Sequence, residues 1–282
     1  MDSGNIGFVL LCSAFVFVMT PGLAMFYGGL VRKKNVVNTM MTSIFIIGVG
    51  IVMWVLFGYS LSFAPSGNAF IGDFRWLGLE GVSLTEGYTD DASIPNMVFS
   101  AFQMMFAVIT PALITGAVAG RMKFKSIFIF TIFWSLIVYY PLAHMVWGQG
   151  GLLGADGIGA LDFAGGDVVH ISSGVSALVL CILLGKRHDY EHSIYRIHNI
   201  PTVVLGASLL MFGWFGFNAG SALAADGLAA HAFMTTGVSA AAAMLSWMLC
   251  DVIKNKKPTL IGASTGMVAG LVGITPGAGF VP

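Results

Sequence analysis

The sequence predicts an all-α, polytopic membrane protein, and three observations predict it. Eight apolar runs are each long enough to span a bilayer, for which a helix of about 20 residues suffices. Only 9% of the 282 residues are charged, against roughly 25% in a soluble domain, and the mean hydropathy is +0.87. Such a chain cannot cover a water-facing surface, but it can cover a lipid-facing one. Finally, twelve of the thirteen Lys and Arg residues fall in alternate loops between these runs.

Span 1, roughly 6–31, follows Met1-Asp2-Ser3-Gly4-Asn5. No basic stretch precedes it, which argues against a cleaved signal peptide and for a start outside. It runs into Arg32, Lys33 and Lys34. Span 2, 39–63, leads to the long loop 64–94, which carries Asp73, Glu80, Glu86, Asp90 and Asp91 and the lone outer cation Arg75. Span 3, 95–119, ends at Arg121, Lys123 and Lys125. Span 4, 125–147, closes on Trp147, with Asp156 and Asp162 after it. Span 5, 166–185, leads to Lys186, Arg187 and Arg196. Spans 6 and 7, 201–223 and 231–253, precede Lys254, Lys256 and Lys257. Span 8, 260–281, is glycine-rich, and Pro276 leaves its outer end undefined. The positive-inside rule assigns the basic loops to the cytoplasm and the N-terminus to the outside of a cell membrane. The acidic outer loops are a solvated surface or a mild attraction for cations.

The formal net charge is zero, which gives no reason to expect a nucleic-acid partner. Cys12, Cys181 and Cys250 lie far apart inside apolar runs and read as small packing residues, with no disulfide framework. No metal cluster, phosphate loop or nucleophile–base pair is visible, so neither a cofactor nor enzymatic chemistry is expected.

Ionisable groups inside spans are rare and by default mark a pathway. The segment from Asp162 through Gly166 and Asp167 leads to His170. A helix starting near Asp162 puts His170 roughly 12 Å along its axis at ~1.5 Å per residue, close to half of a ~30 Å hydrocarbon core. A neutral imidazole both donates and accepts a hydrogen bond, which suits passing a small polar molecule. The alternative is a histidine bonded to a neighbouring helix for packing. Asp162 reads first as a helix cap whose carboxylate fixes nearby carbonyls, and second as a cation ligand. Phe102 and Phe106 are four apart and share a helix face, as do Phe217 and Ser221. Trp147 has the position of an interfacial anchor, yet indole is also the best cation–π partner. An aromatic and hydroxyl cup above stacked phenyl rings would bind a small cation and strip its water. Gly28, Gly29, Gly213, Gly216 and Gly220 read as helix-contact residues.

Taken in order, several segments resemble the ammonium transporter family, the Amt/Mep/Rh group, on its Amt side. They are Thr20-Pro21-Gly22-Leu23-Ala24-Met25-Phe26-Tyr27-Gly28-Gly29-Leu30, Phe102-Gln103-Met104-Met105-Phe106-Ala107 and Ala143-His144-Met145-Val146-Trp147-Gly148. Asp162-Phe163-Ala164-Gly165-Gly166 and Gly213-Trp214-Phe215-Gly216-Phe217-Asn218-Ala219-Gly220-Ser221 complete the set. The resemblance implies an ammonium-transporter fold and transport of ammonium or ammonia. It implies an outer recruitment site of Trp147, Phe106 and Ser221 supported by Asp162, a gate of Phe106 and Phe217, and a pore histidine at His170. Ammonium would lose its proton near the gate and ammonia would pass the pore. The resemblance also implies a homotrimer in the lipid bilayer, and a cytoplasmic nitrogen-regulatory signal protein as partner.

The family fold has eleven spans, with spans 1–5 and 6–10 as inverted repeats. This chain is expected to be one transmembrane domain over 1–282, with a first repeat at about 6–185 and a partial second at about 201–282. It reads as truncated after span 8, without the span that carries the family's second pore histidine. His144 and His231 lie at span ends, and His188, His192 and His198 lie in a cytoplasmic loop. On that reading the chain alone leaves one wall of the pore open and does not transport. An ammonium sensor on the same fold and an inactive remnant are the alternatives.

Overall fold

The computed structural model describes residues 1–65, 67–155, 157–187, 190 and 195–282. Asp156, His188 and His192 lie outside them. Among the described residues the regular elements are all helical, and eight helices are long and apolar enough to cross a membrane. They are α1 Ser3–Leu30, α2 Lys33–Phe63, α3 Asn96–Val118, α4 Phe124–Trp147, α5 Gly166–Leu184, α6 Ile200–Gly220, α7 Gly227–Asn255 and α8 Leu260–Gly277. They correspond one to one with the eight spans read from the sequence.

Local chemistry sets the boundaries that differ. Asp226 caps α7 by accepting from the Ala229 N–H at 3.0 Å, so this helix starts four residues before the apolar run at 231. Asn199 caps α6 in the same way through Thr202 N–H at 2.9 Å. Pro276 leaves the end of α8 as a tight 3₁₀ turn over Thr275–Gly277. Three helices contain a wide π turn: Trp54–Gly58 in α2, Ser135–Tyr139 in α4 and Gly166–Ile171 in α5. The α4 turn lies just before Pro141, whose ring and missing N–H disturb regular helix. π turns cluster at functional sites, and the α5 one carries His170.

The centre of the fold is the antiparallel crossing of α1 and α6. Gly29 lies against Val203 and Asn199, and at the other end Gly216 and Gly220 lie against Phe15 and Cys12. Gly206, Gly213 and Gly220 recur every seven residues on α6, so one side-chain-free face follows α1. Without a hydrophobic drive between helices in lipid, such close backbone approach supplies the packing attraction. A Cβ on Gly29 would lie 2.7 Å from the Val203 nitrogen and 2.9 Å from the Asn199 oxygen. Neither is a flexible side-chain end. Gly29→Ala is therefore expected to cost about 1–3 kcal/mol, the range for overpacking, and to lower the melting temperature in detergent. Gly7→Ala on the same helix meets nothing within 4 Å and serves as the control. Equal melting of the two variants refutes the crossing.

The outer loop 64–94 folds onto the helix ends. Trp76 stacks on Tyr59 at 5.3 Å and Tyr88 on Phe99 at 4.8 Å. Arg75 pairs with Asp73 at 2.7 Å, and its guanidinium hydrogen bonds hold that carboxyl below the usual carboxylate range. The lone outer cation is thereby neutralised. His144 is fully buried, its ring nitrogens 3.1 Å from the Ser62 carbonyl and 2.8 Å from the Asn68 carbonyl, and it ties this loop to the end of α4. Asp2 N–H donates to the Ser93 carbonyl at 2.8 Å and Ala225 N–H to Asn5 at 2.9 Å. The start of the chain thus shares a side with the loops after α2 and α6, as alternating spans require.

Candidate functional site

The site is assembled where the start of α5 meets the ends of α3, α4, α6 and α8. The expectation of a helix starting near Asp162 is corrected here: α5 begins at Gly166. Gly165 has φ +117°, a conformation glycine adopts freely and L-residues rarely do, so regular helix cannot extend back through it. His170 is then four residues into α5, roughly 6 Å along its axis, and the 12 Å placement loses its premise. Its own N–H reaches the Gly165 carbonyl at 3.0 Å, closing the wide turn.

Asp162 organises this segment from outside the helix. One carboxylate oxygen accepts from Gly165 N–H and Gly166 N–H, each at 2.6 Å. The other accepts from Asp167 N–H at 2.8 Å and Val168 N–H at 3.1 Å. A helix start leaves its first N–H groups without partners, and a carboxylate has about four lone-pair positions. All four are occupied. Asp162 therefore faces a cation with its charge but without an open acceptor. Its backbone carbonyl accepts the Trp147 indole N–H at 3.0 Å, which fixes the indole plane. The segment is also anchored to α8, because Phe163 N–H donates to the Pro276 carbonyl at 2.9 Å.

Phe106, Trp147, Asp162 and Ser221 all line one outer cavity of about 450 Å³. Phe106 and Trp147 meet edge to face, 6.1 Å between centroids at 89°. Ser221 donates its hydroxyl hydrogen to the Phe217 carbonyl at 2.9 Å. That bond commits its hydrogen and leaves the lone pairs of its oxygen as acceptors. Aromatic faces plus a lone-pair donor suit a small cation carrying N–H groups.

Beneath the cavity the rings of Phe106 and Phe217 lie 4.3 Å apart at 36°. They are tilted against each other rather than parallel, and they touch. Below them is a second cavity of about 130 Å³, enclosed by apolar side chains including Leu23, Phe26 and Ile109, and lined by His170. The His170 ring stacks on Trp214 at 5.4 Å and on Phe217 at 6.1 Å. Its Nε2 is buried and has no hydrogen-bond partner. The other polar groups around this cavity are engaged: Tyr27 donates to the Leu113 carbonyl at 2.9 Å and Trp214 to Thr275 at 2.9 Å.

The structure thus brings Trp147, Phe106, Ser221, Asp162, Phe217 and His170 into one column. His231 is held apart, against the Val281 carbonyl at 2.7 Å. Two residues of the column were missed in the sequence. Trp214 covers one face of His170, and its signal was a position three before Phe217 on the same helix face. Gln103 lines the outer cavity, and its signal was a lone amide inside an apolar run, three residues before Phe106. Among the described residues, no three His, Cys, Asp or Glu side chains come together to hold a metal ion.

The model of the Ammonium Transporter Family matches residues 7–282. An ammonium transporter of Bacillus subtilis is 53% identical over 281 residues, which cover 100% of this chain and 68% of that protein. The crystal structure of Saccharomyces cerevisiae Mep2 superposes with a TM-score of 0.92 at 39% identity, over 100% of this chain and 63% of its own. A structure described as a sensor Amt protein superposes with a TM-score of 0.87 at 28% identity, over 99% of this chain and 69% of its own. The chain spans between about three fifths and seven tenths of the length of these proteins.

Proposed function

The chain belongs to the ammonium transporter family, and on that premise we propose that the column just described recruits ammonium and passes ammonia. The observation that carries the reading is a pair of cavities parted by two touching rings. The upper one offers indole and phenyl faces and a hydroxyl acceptor. The lower one is apolar except for an imidazole nitrogen that lacks a partner. A bare cation is very costly at the bilayer centre, and the lower cavity offers it nothing charged. Ammonia is neutral and small, and it can hydrogen-bond to an imidazole. In this reading ammonium loses water in the cup of Trp147, Phe106 and Ser221 and gives up its proton to vestibule water at the gate. Ammonia then crosses between Phe106 and Phe217 when the rings part, and meets His170. Asp162 keeps the cup in shape and adds a favourable field.

The same reading extends to the whole protein. The protein acts in a cell membrane with its N-terminus outside, from the alternation of the basic loops. It assembles as a homotrimer and meets a nitrogen-regulatory signal protein from the cytoplasm. The division into a repeat over 6–185 and part of a second over 201–282 is supported by the antiparallel pairing of α1 with α6, the first helix of each. The likeness to a sensor Amt protein favours one second reading, in which ammonium occupies the same cup to report its concentration. Both readings need the cup.

Occupancy of the cup is therefore the direct test. In detergent, ammonium chloride is expected to raise the melting temperature saturably, as a ligand of the folded state does, and sodium chloride at equal ionic strength is not. Trp147→Leu removes a cation–π contact of up to about 2 kcal/mol in a desolvated site, so the midpoint of this effect should rise by up to about thirtyfold. Equal stabilisation by sodium, or an unmoved midpoint in Trp147→Leu, overturns the reading.

A further inference from the structure

Resting on that reading of the cup, we infer that Gln103 is a further substrate-binding residue, its amide oxygen accepting an N–H of the bound ammonium. Ammonium carries four N–H donors; the loop before α3 brings Thr89, Asp91 and Ser93 to the vestibule wall, and the helices that carry Phe106 and Phe217 bring Gln103 and Ser221. The Asp162 carboxylate, the obvious candidate by charge, has its lone pairs taken by the N–H groups of Gly165, Gly166, Asp167 and Val168. Ser221 can still accept, but it is a single atom, and its hydrogen is committed to the Phe217 carbonyl. The aromatic rings attract the charge without taking a directed hydrogen bond at full strength.

Gln103 offers an acceptor beside the aromatic rings. It lies on α3 three residues before Phe106, a spacing that shares a helix face, and it lines the same outer cavity as Phe106, Trp147 and Ser221. The residue is only 8% exposed, and its Oε1 is a buried acceptor with no hydrogen-bond partner. Buried polar groups in native proteins are normally paired, and one that is not calls for a reason. A ligand rich in N–H groups supplies it. The oxygen and nitrogen of a glutamine amide exchange places by a half-turn of the terminal torsion, and the partner decides which faces it. No donor of the protein holds this amide oxygen, so a turn of the terminal amide toward the cavity lets it accept from a partner that brings donors. The consequence is selectivity. Sodium and potassium meet an amide oxygen through undirected coordination, ammonium meets it through a directed N–H, and each methyl group on an ammonium ion removes one donor.

The test compares ammonium midpoints for thermal stabilisation in the wild type, Gln103→Leu, Gln103→Glu and Ser221→Ala, with potassium chloride as reference. Gln103→Leu keeps the side-chain volume but removes the acceptor. It should raise the ammonium midpoint at least fivefold while leaving the melting temperature without ammonium equal or higher. Gln103→Glu restores an acceptor at the same place and should bring the midpoint back to the wild-type value or below. If Gln103→Leu does not fold, the glutamate variant alone decides, since an acceptor role requires it to bind at least as tightly as the wild type. An unmoved midpoint in Gln103→Leu, with Ser221→Ala shifted, overturns the role of Gln103 and leaves the cup standing. Unmoved midpoints in both variants overturn the reading of the cup itself.

Discussion

Asp162→Ala is expected to lower the stability of the protein more than any other single change in the vestibule. The carboxylate serves four backbone N–H groups at 2.6 to 3.1 Å, and at 9% exposure water cannot take its place fully. A hydrogen bond to a charged group contributes about 1.5–3 kcal/mol. Four that share one carboxylate do not add fully, so a loss of about 4 kcal/mol is expected, a large part of the ~5–15 kcal/mol that holds a typical domain. Asp162→Asn separates geometry from charge. Its carbonyl oxygen can serve one pair of N–H groups, but its NH₂ faces the other pair, donor against donor, so it should fall near the alanine variant. Thermal unfolding in detergent reads both. If Asp162 were instead a direct cation ligand, the alanine variant would melt like the wild type and lose only ammonium affinity, and that outcome would sink the capping role.

This arrangement also shows where the sequence was legible and where it was not. Span number and order were readable because apolar length and basic loops are properties of composition. Asp162 was readable as a cap because a carboxylate before glycines has few other uses. The start of α5 was not, because it depends on the conformation of Gly165, and a run of Ala and Gly does not announce φ +117°. The column from Trp147 to His170 draws on four helices distant in sequence, and only the resemblance to a family put those residues in one list. Gln103 escaped because a single amide in an apolar run reads as packing until its missing partner is seen. Glycines were readable as contact residues, but their partners were not. The seven-residue spacing of Gly206, Gly213 and Gly220 acquires meaning once α1 is known to lie on it.

His170→Leu separates a pore residue from a packing residue by the sign of its effect on stability. A histidine kept for packing would have a hydrogen-bond partner across the helices, and its loss would destabilise the fold. The Nε2 of His170 has none, although the ring is packed between Trp214 and the cavity at 5.4 Å from the indole. A buried polar group without a partner costs about 1–3 kcal/mol. Leucine removes that cost and still contacts Trp214 and Phe217. The variant is therefore expected to melt at the wild-type temperature or several degrees above it. Ammonium binding in the cup should not change, because Phe106 and Phe217 stand between the two cavities. Passage should change greatly. The imidazole is the partnerless polar group of the lower cavity, and without it an ammonia molecule gives up its hydrogen bonds to water with nothing in return. That loss, at the same ~1–3 kcal/mol, predicts a rate of ammonium-driven flux through the whole protein in proteoliposomes lower by about fivefold to more than a hundredfold, with the half-saturating concentration unchanged. A destabilised His170→Leu protein with unchanged flux would assign the histidine to packing and remove it from the pore. Stability gained and conduction lost in one substitution is the signature expected of a polar atom kept unpaired for a passing solute.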